Sequence, residues 1–209
     1  MPDWNDIFTN RGKVFLEPHP DMQRLANLFK DNHFKRLLDL GCGTGRHLLF
    51  FSSQGFEVYG LDGSPKGLEL ANNWLSEENH KAELACQRIE QVFPYSNDYF
   101  DAIISIQVIH HNYLKDIIFT AQEIDRILKP NGIIFITVPI LQVFSRGEWN
   151  LKKVEKRTFI PQKGLEKGLP HHFFTIKEFK SIFKSFSLME TYVDKTNHRA
   201  FLAIKNKLS

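Results

Sequence analysis

The chain has 209 residues, 42% of them hydrophobic and 24% charged, with a formal net charge of +3 at pH 7; this suits a globular protein with a substantial core and is too small a positive excess to argue for nucleic acid. No apolar run approaches the roughly 18 residues that cross a bilayer, and the polar start Met1-Pro2-Asp3-Trp4-Asn5-Asp6 is unlike a secretory leader. Cys42 and Cys86, both in core-like segments, cannot build a disulfide framework, so the expected setting is the cytoplasm, without a membrane partner.

The first 20 residues mix apolar Trp4, Ile7, Phe8, Val14 and Phe15 with Pro18 and Pro20. A helix is expected from an Asp21 N-cap to Lys30, burying Leu25, Leu28 and Phe29. Residues 37–40 are a short apolar run of the kind that forms a buried parallel strand. Gly41, Gly43 and Gly45 then alternate, and an apolar helix runs from His47 to Gln54, stopped by Gly55. A second strand, 56–61, ends at Asp62-Gly63. Ser64-Pro65 reads as an N-cap and first-turn proline of a helix reaching about Glu78. A third strand follows at 82–86, and the turn-rich stretch 93–101 leads into a fourth at 102–108. Next come a helix over 115–128, the turn Lys129-Pro130-Asn131-Gly132, and a fifth strand at 133–138. Residues 139–173 lose periodicity, and a loop that long is usually functional, which predicts a lid-like insertion. A helix over 175–183 presents Ile176, Phe179, Ile182 and Phe183 on one face, and strands at 188–193 and 199–205 close the chain. Strands alternating with helices predict a doubly wound α/β sheet. The expected organisation is one domain, 1–209, with an N-terminal helical segment 1–33 and the insertion 139–173.

A strand that turns sharply into a helix needs glycines where φ is positive or where a ligand must touch the backbone. The helix start offers unpaired N–H groups and the positive end of a dipole, which suits an anionic or hydroxyl-rich ligand. This loop is tighter than the dinucleotide pattern G-x-G-x-x-G, its third glycine coming one residue early, and Asp39 lies two residues before the first. A carboxylate at the tip of the second strand, Asp62, is placed to accept both hydroxyls of a ribose. With this strand, acid and G-x-G-x-G loop the chain resembles class I S-adenosylmethionine-dependent methyltransferases. The stretch Phe93-Pro94-Tyr95 through Phe100-Asp101 is similar to the family's L-P-F…F-D approach to its fourth strand. Arg126 to Gly132 is similar to its L-K-P-G-G turn, with Asn131, which tolerates left-handed φ, for the first glycine.

The resemblance implies a Rossmann-like, mostly parallel seven-stranded sheet with an antiparallel last strand and helices on both faces. It implies a methyltransferase using S-adenosylmethionine and releasing S-adenosylhomocysteine. Asp39 would lie near the ligand's amino group or the loop amides, and Gly41, Cys42, Gly43, Thr44 and Gly45 would form the loop around the ligand. Asp62 would meet the ribose and Gly63 would admit the adenine edge. The family often carries an Asp after the third strand; this chain has Gln87-Arg88-Ile89-Glu90, leaving Ile89 to pack on the ring and Glu90 as the available carboxylate. Ile106 and Gln107 would line the methionine arm. His110 and His111 follow where the family often has V-L-H-H, His110 as a substrate contact and His111 either as a packed structural residue or as a base. Trp4 is an N-terminal anchor or an aromatic wall whose π face suits a sulfonium cation.

The segment 139–173 holds Arg146, Lys152, Lys153, Lys156, Arg157, Lys163 and Lys167 against Glu148, Glu155 and Glu166, a solvated face or an attraction for an anionic acceptor. His171 and His172 close it and are further candidate bases; with His110 or His111 their spacing matches no familiar metal motif, so no metal is expected. In-line methyl transfer needs positioning more than covalent help. No [DN]-P-P-[YFW] follows the fourth strand and neither cysteine suits a cytosine C5 nucleophile, so a small-molecule acceptor is expected and nucleic acid is disfavoured. The alternatives are a protein or RNA methyltransferase docking through the basic insertion, a nicotinamide-dependent enzyme, for which the short loop makes a poor pyrophosphate seat, and a non-catalytic S-adenosylmethionine-binding protein. Neither the acceptor nor the oligomeric state is legible in these residues.

Overall fold

Short aliphatic runs separated by amphipathic stretches fold as their periodicities demand. A computed structural model describes residues 4–141 and 149–207. In chain order these form α1 (Trp4–Arg11), α2 (Met22–Asp31), β1 (Arg36–Leu40), α3 (Arg46–Ser53), β2 (Glu57–Asp62), α4 (Pro65–Glu77), β3 (Glu83–Cys86) and β4 (Phe100–Ile106). There follow α5 (Leu114–Ile127), β5 (Leu128–Pro139), β6 (Leu151–Glu155), β7 (Thr158–Pro161), β8 (His171–His172), α6 (Ile176–Ile182), β9 (Phe186–Val193) and β10 (His198–Lys205). Seven strands pair in the order β3-β2-β1-β4-β5-β10-β9. The first five are parallel, and β10 runs antiparallel between β5 and β9.

Because successive strand residues face opposite ways, β1 sends Leu38 and Leu40 to one core and Leu37 to the other. The first core packs Ile103, Ile134 and Phe201 against Ile117 and Ile124 of α5 and Phe179 of α6. The second packs Ile104, Phe135 and Leu202 against α2, α3 and α4, with Phe29, Phe51 and Leu75 fully or nearly buried. Helices therefore cover both faces. Strand order reverses at β1, whose neighbours are β2 and β4, and the crevice beyond their carboxyl ends is where such sheets bind ligands.

Several expectations change. The insertion is not a plain loop: its residues 151–172 include an antiparallel sheet of β6, β7 and β8, hidden from periodicity because its strands are two to five residues long. Arg146 and Glu148 lie outside the described residues. Cys86 is exposed at the end of edge strand β3, and Ile176 is exposed at the start of α6. Asp21 does precede α2, but its side chain caps nothing and instead accepts from the Tyr192 hydroxyl at 2.7 Å. Ser64 does cap α4, accepting from the Gly67 N–H at 2.9 Å. No helix among the described residues is long and apolar enough to cross a membrane.

The segment before α2 is pinned to the far edge of the sheet by a buried pair. The Asp21 N–H donates to His19 Nδ1 at 3.2 Å, so the neutral ring carries its proton on Nε2 and donates it to Asp194 Oδ2 at 3.1 Å. Burial alone would raise the Asp194 pKa, but His19 and the N–H groups of His198 and Thr196 hold it down to about 2. A carboxylate whose folded pKa lies below its unfolded value near 3.9 contributes stability that is present above pH 4 and lost as pH falls toward 2. Asp194→Asn is expected to destabilise the protein by about 2 kcal/mol at pH 6, and urea denaturation should show that deficit shrinking by pH 2.5; an equal deficit at both pH values refutes the pairing.

Candidate functional site

The chain leaves β1 through the glycine loop, which is fastened to the end of β2. The N–H groups of Gly41 and Cys42 both donate to the Leu61 carbonyl, at 2.7 and 3.2 Å. Asp62 completes the fastening, Oδ2 accepting from the Gly43 N–H and Oδ1 from the Ser64 N–H, each at 2.8 Å. Burial raises the pKa of Asp62, the two N–H groups oppose that shift, and nearby Asp39 reinforces it. Gly41 has φ +81°, and a Cβ there would lie 2.4 Å from the Val108 methyls, so both the turn and the close approach of β4 exclude a side chain.

A cavity of about 200 Å³ lies over this loop. Gly41, Cys42, Gly43 and Thr44 line it with Asp62 and Gly63, and so do Ile89 and Glu90 after β3, Ile106 and Gln107 at the end of β4, and Trp4 and His111. These are twelve of the residues singled out from the sequence, brought together from six stretches of chain. Gln107 holds a left-handed φ of +61°, stabilised by its N–H to the Thr137 carbonyl and hydroxyl, both at 3.1 Å, and by its side chain near Thr196 and His198. Glu90 is ion-paired with Arg88.

Five expected residues are placed elsewhere. Gly45 is the N-cap of α3, packed against Ala71. Asp39 shares the face of β1 that carries Leu37, is 1% exposed, and lies 3.6 Å from His47 Nδ1, while one of the loop amides, that of Gly43, is taken by Asp62. His47 accepts the His19 N–H at 3.2 Å through Nε2, which leaves its proton on Nδ1 facing Asp39; burial lowers its pKa. His110 is buried behind the wall, its carbonyl accepting the His172 N–H at 2.8 Å. His172 is fully buried between the Thr158 hydroxyl, 2.9 Å from Nδ1, and Glu178, 3.3 Å from Nε2. His171 is also fully buried, behind Glu166. Among the candidate bases, only His111 lines the cavity.

His111 accepts from the Trp4 indole N–H at 3.4 Å through Nδ1, so the neutral ring bears its proton on Nε2, 3.7 Å from Glu166 Oε1. Burial pushes its pKa down to about 3, against the pull of Glu166. The sequence reading missed Glu166, Arg88, Arg46, Phe8, Phe15 and Asn5, which also line the cavity. Asn5 docks α1, its Oδ1 accepting from the Ser64 hydroxyl and the Lys66 N–H, both at 3.0 Å. Phe8 packs where side chains on Gly43 and Gly67 would stand. Only Glu166, an acid among lysines five residues before His171, left a sign in the sequence.

Comparison with known proteins bears on this site. Residues 38–136 match a family model described as a methyltransferase domain. The chain is 25% identical over 196 residues to an uncharacterized methyltransferase of Schizosaccharomyces pombe, covering 88% of this chain and 63% of that one. It is 30% identical over 118 residues to a ubiquinone biosynthesis O-methyltransferase of Rickettsia canadensis, covering 56% and 48%. A crystal structure of an S-adenosylmethionine-dependent methyltransferase from Clostridium acetobutylicum shares the fold, with a TM-score of 0.72 at 15% identity over 89% and 91% of the two chains. The chain spans about half the length of the curated relatives it matches.

Gly41 and Gly55 together isolate the steric demand of the loop. Both have positive φ, but a Cβ on Gly55 meets nothing within 4 Å. Gly55→Ala should cost about 1–2 kcal/mol for the left-handed backbone, and Gly41→Ala about 1–3 kcal/mol more for the collision with Val108. Equal losses in chemical denaturation would show that the loop has room to spare.

Proposed function

We propose that the chain is a class I S-adenosylmethionine-dependent methyltransferase, an enzyme transferring a methyl group from S-adenosylmethionine to a small-molecule acceptor, with both held in the cavity over the glycine loop; the methyltransferase-domain match over residues 38–136 and the methyltransferase relatives support this reading. The observation that carries this reading is the meeting in one cavity of the Gly41–Thr44 backbone and Asp62 with Trp4 and His111. The residues fit the cofactor. Each Asp62 oxygen accepts one backbone N–H and keeps lone pairs for ribose hydroxyls. Gly41 and Gly63 line the cavity through their backbone, and Ile89 offers an apolar face for the base. Ile106 and Gln107 fall where the methionine arm would pass. When bound, S-adenosylmethionine supplies a methyl group on a cationic sulfur, and the π face of Trp4 suits that charge.

At the other end of the cavity Trp4, His111 and Glu166 set the acceptor's surroundings. An acceptor that displaces the Trp4 N–H from His111 Nδ1 finds a lone pair there, with Glu166 positioned to stabilise the resulting imidazolium through Nε2–H. The lysines at 152, 153, 156, 163 and 167 are exposed and none is in the lining, where Asp62, Glu90 and Glu166 stand against Arg46 and Arg88, a nearly even balance. That balance favours a neutral protic acceptor over the anionic one suggested by the insertion's charge. It equally weakens the reading in which lysines guide a nucleic acid into the cavity.

Asp62→Ala should weaken S-adenosylhomocysteine binding at least tenfold, about 1.4 kcal/mol, because hydrogen bonds to a charged group contribute roughly 1.5–3 kcal/mol. Titration calorimetry with NAD as the competitor reads this directly. Unchanged affinity removes the ribose assignment, and displacement by NAD removes the methyltransferase reading.

A further inference from the structure

Three imidazoles from two distant parts of the chain meet behind the inner wall of the cavity. The His110 and His111 ring centroids are 3.9 Å apart, His111 and His171 4.6 Å, and His110 and His171 5.3 Å. One ring nitrogen of each lies within 4.8 Å of those of the other two. His110 is 2% exposed and His171 fully buried. Among the described residues His110 Nδ1 and His111 Nε2 have no hydrogen-bond partner although both are buried, a condition native proteins rarely leave unanswered. The Glu166 carboxylate completes the group, Oε2 at 2.8 Å from His171 Nε2 and Oε1 at 3.7 Å from His111 Nε2.

We propose that His110, His111, His171 and Glu166 form a binding site for one divalent transition-metal ion. Three imidazole nitrogens and a carboxylate are a donor set for zinc, cobalt(II) or nickel(II), while magnesium and calcium take oxygen ligands. Imidazole nitrogens about 2.0–2.1 Å from zinc stand roughly 3.3 Å from one another in a tetrahedron, so loading draws the rings together by an ångström or more. Sequence spacing hides the set because two ligands follow β4 and two lie in the insertion. His111 and Glu166 also line the cavity, so the ion is reachable from it. One consequence rests on the proposed methyltransferase reading: coordination through His111 Nε2 moves that ring's proton to Nδ1 and displaces the Trp4 N–H, so with the ion bound the metal takes over the role proposed for His111, and a protic acceptor that coordinates it loses its proton more readily than in water.

The test uses the full chain, free of affinity tags and stripped with a chelator, titrated with Zn²⁺ by calorimetry and with Co²⁺ by visible absorption. One equivalent of Zn²⁺ should bind with micromolar or tighter affinity, and Co²⁺ should show the visible bands of a low-coordinate nitrogen site. Because His171 is fully buried, the informative variants are His111→Gln and Glu166→Gln, each expected to weaken Zn²⁺ binding at least tenfold with native circular dichroism retained. Absence of stoichiometric binding, or binding that survives both substitutions, overturns the proposal. S-adenosylhomocysteine calorimetry on the same samples separates the two readings: cofactor binding without metal binding removes only the metal site, and the reverse result removes only the methyltransferase assignment.

Discussion

The Asp62 carboxylate, accepting the Gly43 and Ser64 N–H groups, is the constraint around which the site is assembled. A loop with three residues at positive φ would otherwise be free to adopt many shapes, because glycine loses more conformational freedom on ordering than any other residue. Two charge-assisted bonds from one side chain fix the loop to the tip of β2 and to the start of α4 at once. The cost is a partly desolvated anion whose pKa is raised by burial. Those two N–H groups hold it down, and hydroxyls of a ligand would do the same from the open side. The residue that shapes the loop is thus also the one best placed to meet a ligand's hydroxyls.

The first helix belongs to the site as much as the sheet does. Asn5 binds the hydroxyl that caps α4, Phe8 fills the space that two absent side chains leave at Gly43 and Gly67, and Trp4 reaches His111. The buried His19–Asp194 pair then ties the following segment to the β9–β10 turn, whose Thr196 and His198 also hold the Gln107 side chain. Entry of α1 and the conformation of the β4 exit are therefore coupled through hydrogen bonds at opposite ends of the sequence. A ligand that pushes Trp4 aside strains both.

Much of this was legible in the residues because it is written in local patterns. Aliphatic runs, Gly55, Ser64-Pro65 and Asn131 each act within a few positions of themselves, so the sheet, its helices and the loop could be drawn before any coordinates. The failures share a different cause. The resemblance put Asp39 near the ligand's amino group or the loop amides, but side-chain alternation turns it with Leu37 toward α3 and His47. The insertion looked irregular because strands of two to five residues carry too few alternations to register. Glu166 and the meeting of His110, His111 and His171 depend on two segments being laid side by side, and no spacing along one chain reports that.

The buried histidines show how the insertion can matter without carrying its positive charge into the cavity. Its exposed lysines face water, where an excess of positive charge steers from a distance and is screened within about 10 Å at ordinary salt. Glu166, by contrast, is brought inside, and burial alone would raise its pKa. The hydrogen bond from His171 and the neighbouring His111 ring reverse that, so the acid stays ionised next to rings that burial keeps neutral. A half-buried carboxylate held by a single histidine hydrogen bond is a costly arrangement in a wall that an aliphatic residue could fill. Its place within reach of both the cavity and the histidine cluster is what the proposed acceptor pocket and metal site draw on.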